Sequence, residues 1–122
     1  MADKLLIAIV NTDPESGAAL GSILTQATVA ATMEFDVEVV LSGQCDVLAI
    51  KGIPEQTLIQ EGDTRVIYDL IKEAHAAGVS FKVCLSPLEK WDIEFISQVD
   101  ETVNDAYLIQ AAMDDKTVTL TY

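Results

Sequence analysis

The sequence predicts an α/β domain, a three-layer α/β/α sandwich around a mainly parallel sheet. Three observations carry that expectation. Lys4 to Asn11 (Lys-Leu-Leu-Ile-Ala-Ile-Val-Asn) is a continuous apolar run, as in a central parallel strand covered on both faces. Thr64 to Ala77 has apolar residues at Val66, Ile67, Leu70, Ile71 and Ala74, the stripe of a helix that buries one side. Strand-like and helical segments alternate along the chain, which favours helices packed over a parallel sheet. At 122 residues the chain has room for a real core but for only one domain, residues 1–122.

After the first strand, Asn11-Thr12-Asp13-Pro14-Glu15 reads as a turn feeding a helix, with Asp13 as N-cap and Pro14 in the first helical position. That helix runs to about Met33. It is rich in small residues and has almost no charge after Glu15, so it is expected to be buried on two sides, a first hint of oligomerisation. Phe35 to Ser42, centred on Val37, Val39 and Val40, is the second strand. Asp46 to Lys51 reads as a short extension or hairpin return beside it. Gly52 to Asp63 is a loop with room for a helical turn.

The helix over Thr64–Ala77 ends at Gly78, placed as a C′ residue. Val79 to Cys84 follows as a short strand, and Ser86-Pro87 breaks the pattern. Leu88 to Val99, with Trp91, Ile93, Phe95 and Ile96, is expected to form one or two helical turns over the sheet edge. Asp100 to Met113 holds a last helix, with Val103, Ala106, Tyr107, Ile109 and Gln110 along it. Lys116 to Tyr122 alternates apolar and hydroxyl side chains, as a half-exposed terminal strand does.

Composition narrows the function. Half of the residues are apolar, which excludes a disordered chain, and no apolar run approaches a membrane span. The amino end shows no signal-peptide pattern, and two cysteines without such a signal point to the cytoplasm. Twenty acidic residues against 7 basic, a formal net charge of −13, would repel phosphate backbones and anionic lipid, so neither nucleic acid nor membrane is an expected partner. The chain has no Gly-x-Gly-x-x-Gly, no phosphate loop and no Cys-x-x-Cys. One histidine and two distant cysteines make a metal site improbable, and no cofactor is implied. His75, between Ala74 and Ala76, reads as a surface helix histidine.

What remains is a thiol. Cys84 stands at the carboxyl end of a strand, the edge where open α/β sheets collect ligands and reactive groups. It is the candidate catalytic residue, against the alternative of a small buried hydrophobe. A helical turn after Ser86 would lower its pKa; Glu89, Asp92 and Glu94 would raise it, and Lys82 and Lys90 would offset them. Cys45 is the second thiol, an exposed accessory or resolving group or one with no role.

Gly78-Val79-Ser80-Phe81-Lys82-Val83-Cys84, then Ile93-Glu94-Phe95-Ile96-Ser97-Gln98-Val99, resembles the carboxyl half of DsrE/DsrF-like (YchN-like) proteins. Val37-Glu38-Val39-Val40-Leu41-Ser42-Gly43, leading into Leu48-Ala49-Ile50-Lys51-Gly52, fits the first half. The resemblance implies trimers or hexamers and a role in cytoplasmic sulfur relay. The strand-end cysteine, matched here by Cys84, would carry sulfur as a persulfide between a donor and an acceptor protein. The expected function is thus a sulfur carrier or sulfurtransferase subunit. The alternatives are a non-catalytic oligomeric scaffold with a structural Cys84, or a redox protein with a Cys45–Cys84 disulfide.

Overall fold

The structure is a computed structural model that describes residues 3–84 and 93–122. Five strands, β1 (Lys4–Ile9), β2 (Asp36–Leu41), β3 (Ser80–Cys84), β4 (Val99–Val103) and β5 (Thr117–Thr121), form one sheet in the order β4-β3-β2-β1-β5. All four pairings are parallel. Helices α1 (Gly17–Thr32) and α2 (Ile67–Ala76) cover one face, and α3 (Asp105–Ala112) covers the other. From β1 to β4 the chain steps across the sheet in one direction, then returns to place β5 beside β1. A right-handed crossover made in the opposite direction must put its helix on the opposite face, which is where α3 lies.

The strands at the centre are those with continuous apolar runs. Leu6, Ile7, Ala8 and Ile9 of β1 and Val37, Val39, Val40 and Leu41 of β2 are all buried. Ile7, Ile9, Val39, Leu41, Phe81 and Val83 meet Leu20, Ile23, Leu24 and Ala27 of α1 and Ile67, Leu70, Ile71 and Ala74 of α2. Each such Leu or Ile withdrawn from water is worth roughly 1.5–3 kcal/mol, so this face is the main source of stability. A smaller cluster, Leu6, Val40, Cys84 and Val103, lies under Tyr107, Leu108 and Ala111 of α3.

That second face also buries a charge. Glu38, in the middle of β2, is 2% exposed. Its carboxylate receives Lys4 Nζ at 3.2 Å, Lys82 Nζ at 3.3 Å and the Tyr107 hydroxyl. Lys82 also donates to the Tyr107 oxygen and pairs with Glu101 at 3.4 Å. Burial alone would push the Glu38 carboxyl up, but Tyr107 and the two lysines outweigh it and leave its pKa below the ordinary value.

Several expectations need correction. The segment expected as a hairpin return after Ser42 is instead a 3-10 helix, Gly43–Ala49, which buries Cys45, Leu48 and Ala49. Past it, Ile50 forms an isolated antiparallel bridge to Phe95. A second 3-10 turn, Pro54–Gln56, occupies the following loop, as expected. Asp13 does not cap α1. Its carboxylate accepts the Glu15 N–H at 2.9 Å and closes a turn, while Ser16 stands at the N-cap. The helical turns expected between Leu88 and Val99 fall partly on residues 85–92, outside the described residues; from Ile93 to Gln98 the chain is irregular, and Val99 opens β4. Val103 ends that strand, so the last helix starts only at Asp105.

The reason β4 was missed is chemical. Val-Asp-Glu-Thr-Val is poor strand sequence, apolar only at its ends. The register slips between Phe81 and Lys82, leaving Asp100 as the extra residue. The Asp100 carboxylate then accepts the Phe81 N–H at 3.0 Å, replacing a ladder carbonyl, and its other oxygen meets His75 Nε2 at 3.0 Å.

Two substitutions test this packing. A Cβ on Gly17 would lie 1.8 Å from the Leu58 carbonyl oxygen. Gly17→Ala should destabilise by about 2 kcal/mol or more in urea unfolding, the overpacking cost exceeding the ~1 kcal/mol that alanine gains in a helix. Tyr107→Phe, which removes the hydroxyl shared by Glu38 and Lys82, should cost about 1–3 kcal/mol with the fold retained by circular dichroism.

Candidate functional site

Three chain segments meet at the carboxyl edge of the sheet. α2 ends at Ala76, Gly78 turns the chain with φ 109°, and Val79 leads into β3, which stops on Cys84. β2 is the parallel neighbour of β3, so its own end, Ser42, arrives alongside. On the other flank Cys84 pairs with Val103, the last residue of β4. Asn104 then caps α3, its side chain accepting the Tyr107 N–H at 3.0 Å, and Asp105 is the first helical residue.

The Cys84 thiol donates to Asp105 Oδ1 at 3.4 Å. The Ser42 hydroxyl also hydrogen-bonds the sulfur. Cys84 is 5% exposed. Burial pushes its pKa up, and the carboxylates of Asp105 and Asp46 add to the rise. The Ser42 hydroxyl, which favours the thiolate, opposes them without winning. The resting group is therefore a thiol flanked by one group that stabilises the proton and one that stabilises its loss.

The lysine two residues before the thiol does not offset these charges in the way expected from sequence. Lys82 is held by Glu38, Tyr107 and Glu101, and its own pKa is raised. Desolvation opposes that rise, and the Tyr107 and Glu38 contacts outweigh it. Glu94 is exposed and paired with Lys51 at 3.3 Å. Glu89, Lys90, Asp92 and the Ser86-Pro87 turn lie outside the described residues.

Cys45 is neither exposed nor bonded to Cys84. It is fully buried, its thiol donates to the Thr12 carbonyl at 2.8 Å, and neither cysteine is in a disulfide. Burial, with Asp46 and Asp13 nearby, pushes its pKa up to about 11. His75 lies on the outer part of α2 beside Asp100, as a surface helix histidine. Among the described residues no group of three His, Cys, Asp or Glu side chains could hold a metal ion. A groove of about 560 Å³ is lined by Pro14, Glu15, Val47, Ile53 and Leu58 and does not include Cys84.

Ser42 and Asp105 were not singled out in the sequence. Ser42 ended a strand and Asp105 followed an Asn in a polar stretch, both ordinary boundary signals that say nothing about a thiol far away in the chain.

Cys45 gives an alkaline test. It stays protonated to about pH 11 in the folded chain, against an ordinary value of 9. Its contribution to stability is then full below pH 9 and is lost as pH rises toward 11. Cys45→Ser keeps a donor for the Thr12 carbonyl but does not ionise. Across that interval its urea-unfolding free energy should fall by about 2–3 kcal/mol less than the parent's.

No family model and no curated protein matches the chain. Among solved structures it is similar to the crystal structure of the ychN protein from E. coli, with a TM-score of 0.75, 19% sequence identity and 100% of each chain covered. The all-parallel sheet with helices on both faces, matched end to end in this way, is a YchN-like α/β fold.

Proposed function

We propose that the protein is a sulfur carrier or sulfurtransferase subunit in which Cys84 accepts sulfane sulfur as a persulfide and passes it to an acceptor thiol. The observation that carries the reading is the convergence of the Ser42 hydroxyl and the Asp105 carboxylate on one sulfur at the carboxyl edge of a parallel sheet. Cysteine that merely fills space needs no such polar escort. The YchN-like fold and the sequence resemblance to sulfur-relay proteins support the same reading. The chemistry is thiol exchange: the Cys84 thiolate attacks the outer sulfur of a donor persulfide, and an acceptor thiolate later attacks that sulfur.

A homo-oligomer, trimer or hexamer, belongs to this reading, as does a cytoplasmic setting. Val29, Met33, Phe35 and Val118 are exposed and line an apolar groove of about 350 Å³ between α1 and the β5 edge, a surface suited to a neighbouring protomer. The outer face of α1, with Ala18, Ala19 and Ser22 exposed, is uncharged. No described helix is long and apolar enough to cross a membrane.

The second reading, a scaffold with a structural Cys84, is favoured by the burial of the sulfur among Leu6, Val40 and Val103. Mass spectrometry after incubation with inorganic polysulfide separates the two. Sulfur added to the parent protein, lost in Cys84→Ser and retained in Cys45→Ser, is the expected result. A parent protein that takes up no sulfur under these conditions identifies Cys84 as packing.

A further inference from the structure

We propose that Asp105 governs when Cys84 reacts: its carboxylate takes the thiol's hydrogen bond, holds the resting sulfur protonated, and repels the anionic persulfide once sulfur is loaded. This rests on the carrier reading above and assigns the control of that site to a residue of α3.

The argument begins with geometry. The S–H···Oδ1 contact at 3.4 Å joins two residues 21 apart in sequence. The contact depends on the β3–β4 pairing, which sets Val103 beside Cys84, and on the Asn104 cap, which starts α3 one residue later. Among the described residues, the charged and polar groups around the sulfur can each be assigned a sign. Asp105 on α3 and Asp46 on the 3-10 helix after β2 oppose negative charge on the sulfur. Ser42 at the end of β2 favours it. Lys82 on β3 has its charge taken up by Glu38 on β2, Tyr107 on α3 and Glu101 on β4. Asp105 is hydrogen-bonded to the reacting atom itself.

The chemical step sets the consequence. Loading converts Cys84–SH and R–S–SH into Cys84–S–SH and R–SH. The new bond joins Cys84 Sγ to the outer donor sulfur, and the donor S–S bond breaks with its electron pair on the leaving thiolate. That thiolate takes up the proton Cys84 gave away, and no net oxidation occurs. Asp105 disfavours the Cys84 thiolate that starts this step. A persulfide is a stronger acid than its parent thiol, so the loaded sulfur is anionic and faces the same carboxylate. Unloading, in which an acceptor thiolate attacks the terminal sulfur and Cys84 leaves and is reprotonated, relieves that repulsion. Asp105 thereby makes Cys84 slow to load and ready to release.

The test uses the full chain. Thiolate absorbance is titrated against a Cys84→Ser reference, and retention of polysulfide-loaded sulfur is followed by mass spectrometry after adding a small thiol. Asp105→Asn should move the Cys84 midpoint down by at least about one pH unit, a tenfold gain in thiolate below the midpoint, and lengthen retention. Asp105→Glu should stay near the parent, and Ser42→Ala should move the midpoint up. Asp105→Ser, which keeps a polar residue at the helix start, replaces Asp105→Asn if the latter does not fold. A parental midpoint in the Asn or Ser variant, or unchanged retention with a shifted midpoint, overturns the proposal. If the midpoint moves but the parent never takes up sulfur, the carrier reading is what fails; if sulfur is taken up and the midpoint stays, it is Asp105.

Discussion

A carboxylate in the middle of a central strand is the constraint from which the second face of this sheet follows. Glu38 is almost without solvent, and an unpaired charge there would cost several kcal/mol. Three elements answer it: Lys4 from β1, Lys82 from β3 and the Tyr107 hydroxyl from α3. Two neighbouring strands and the only described helix on that face are thus tied to one side chain. Apolar contact alone would not hold α3 in one place, because its interface is thin. None of its residues is fully buried, and only Tyr107, Leu108 and Ala111 reach the cluster beneath. The network costs desolvation, but it fixes position where a slippery apolar contact would not.

Fixing α3 fixes Asp105, and so the polar environment of the thiol. The same network takes up the charge of Lys82, which shares a sheet face with Cys84. A free ammonium at that position would pull the thiol toward ionisation. Bound to Glu38, Tyr107 and Glu101, it is spent on architecture instead. The rise in the Cys84 pKa comes from burial and from the carboxylates of Asp105 and Asp46, the first of which this network holds in place through α3.

How much of this could be read from the chain depends on what each element buries. β1 and β2 are covered on both faces, so their apolar runs are unmistakable, and α2 shows its buried stripe because its other side is charged. The end of β3 at Cys84 was legible from Gly78 and the Ser86-Pro87 break. β4 was hidden because it is an edge strand whose inner residues, Asp100, Glu101 and Thr102, are exposed. Its place comes from the Asp100 carboxylate bonding Phe81, a tertiary contact that no period reports. The apolar stretch after Gly43 was ambiguous in the same way, since burial of a 3-10 helix on several sides erases the alternation that would separate helix from strand. The exposed alternative for Cys45 fails for a related reason: a turn residue in sequence is core because the turn itself is packed.

The site was legible only as a sulfur at a boundary. Its companions come from strand ends, and strand ends are brought together by register, not by sequence proximity. Ser42 reaches Cys84 because Leu41 pairs with Val83, and Asp105 because Val103 pairs with Cys84. A one-residue slip in either pairing would send the companion to the other face, since side chains alternate along a strand. The bulge at Asp100 supplies the odd residue that this register requires on the β4 side, and the Glu38 network holds β1, β2 and β3 against a slip on the other. The chemistry available to Cys84 is therefore set by two features distant from it in sequence, a bulged acidic residue in an edge strand and a buried acidic residue in a central one.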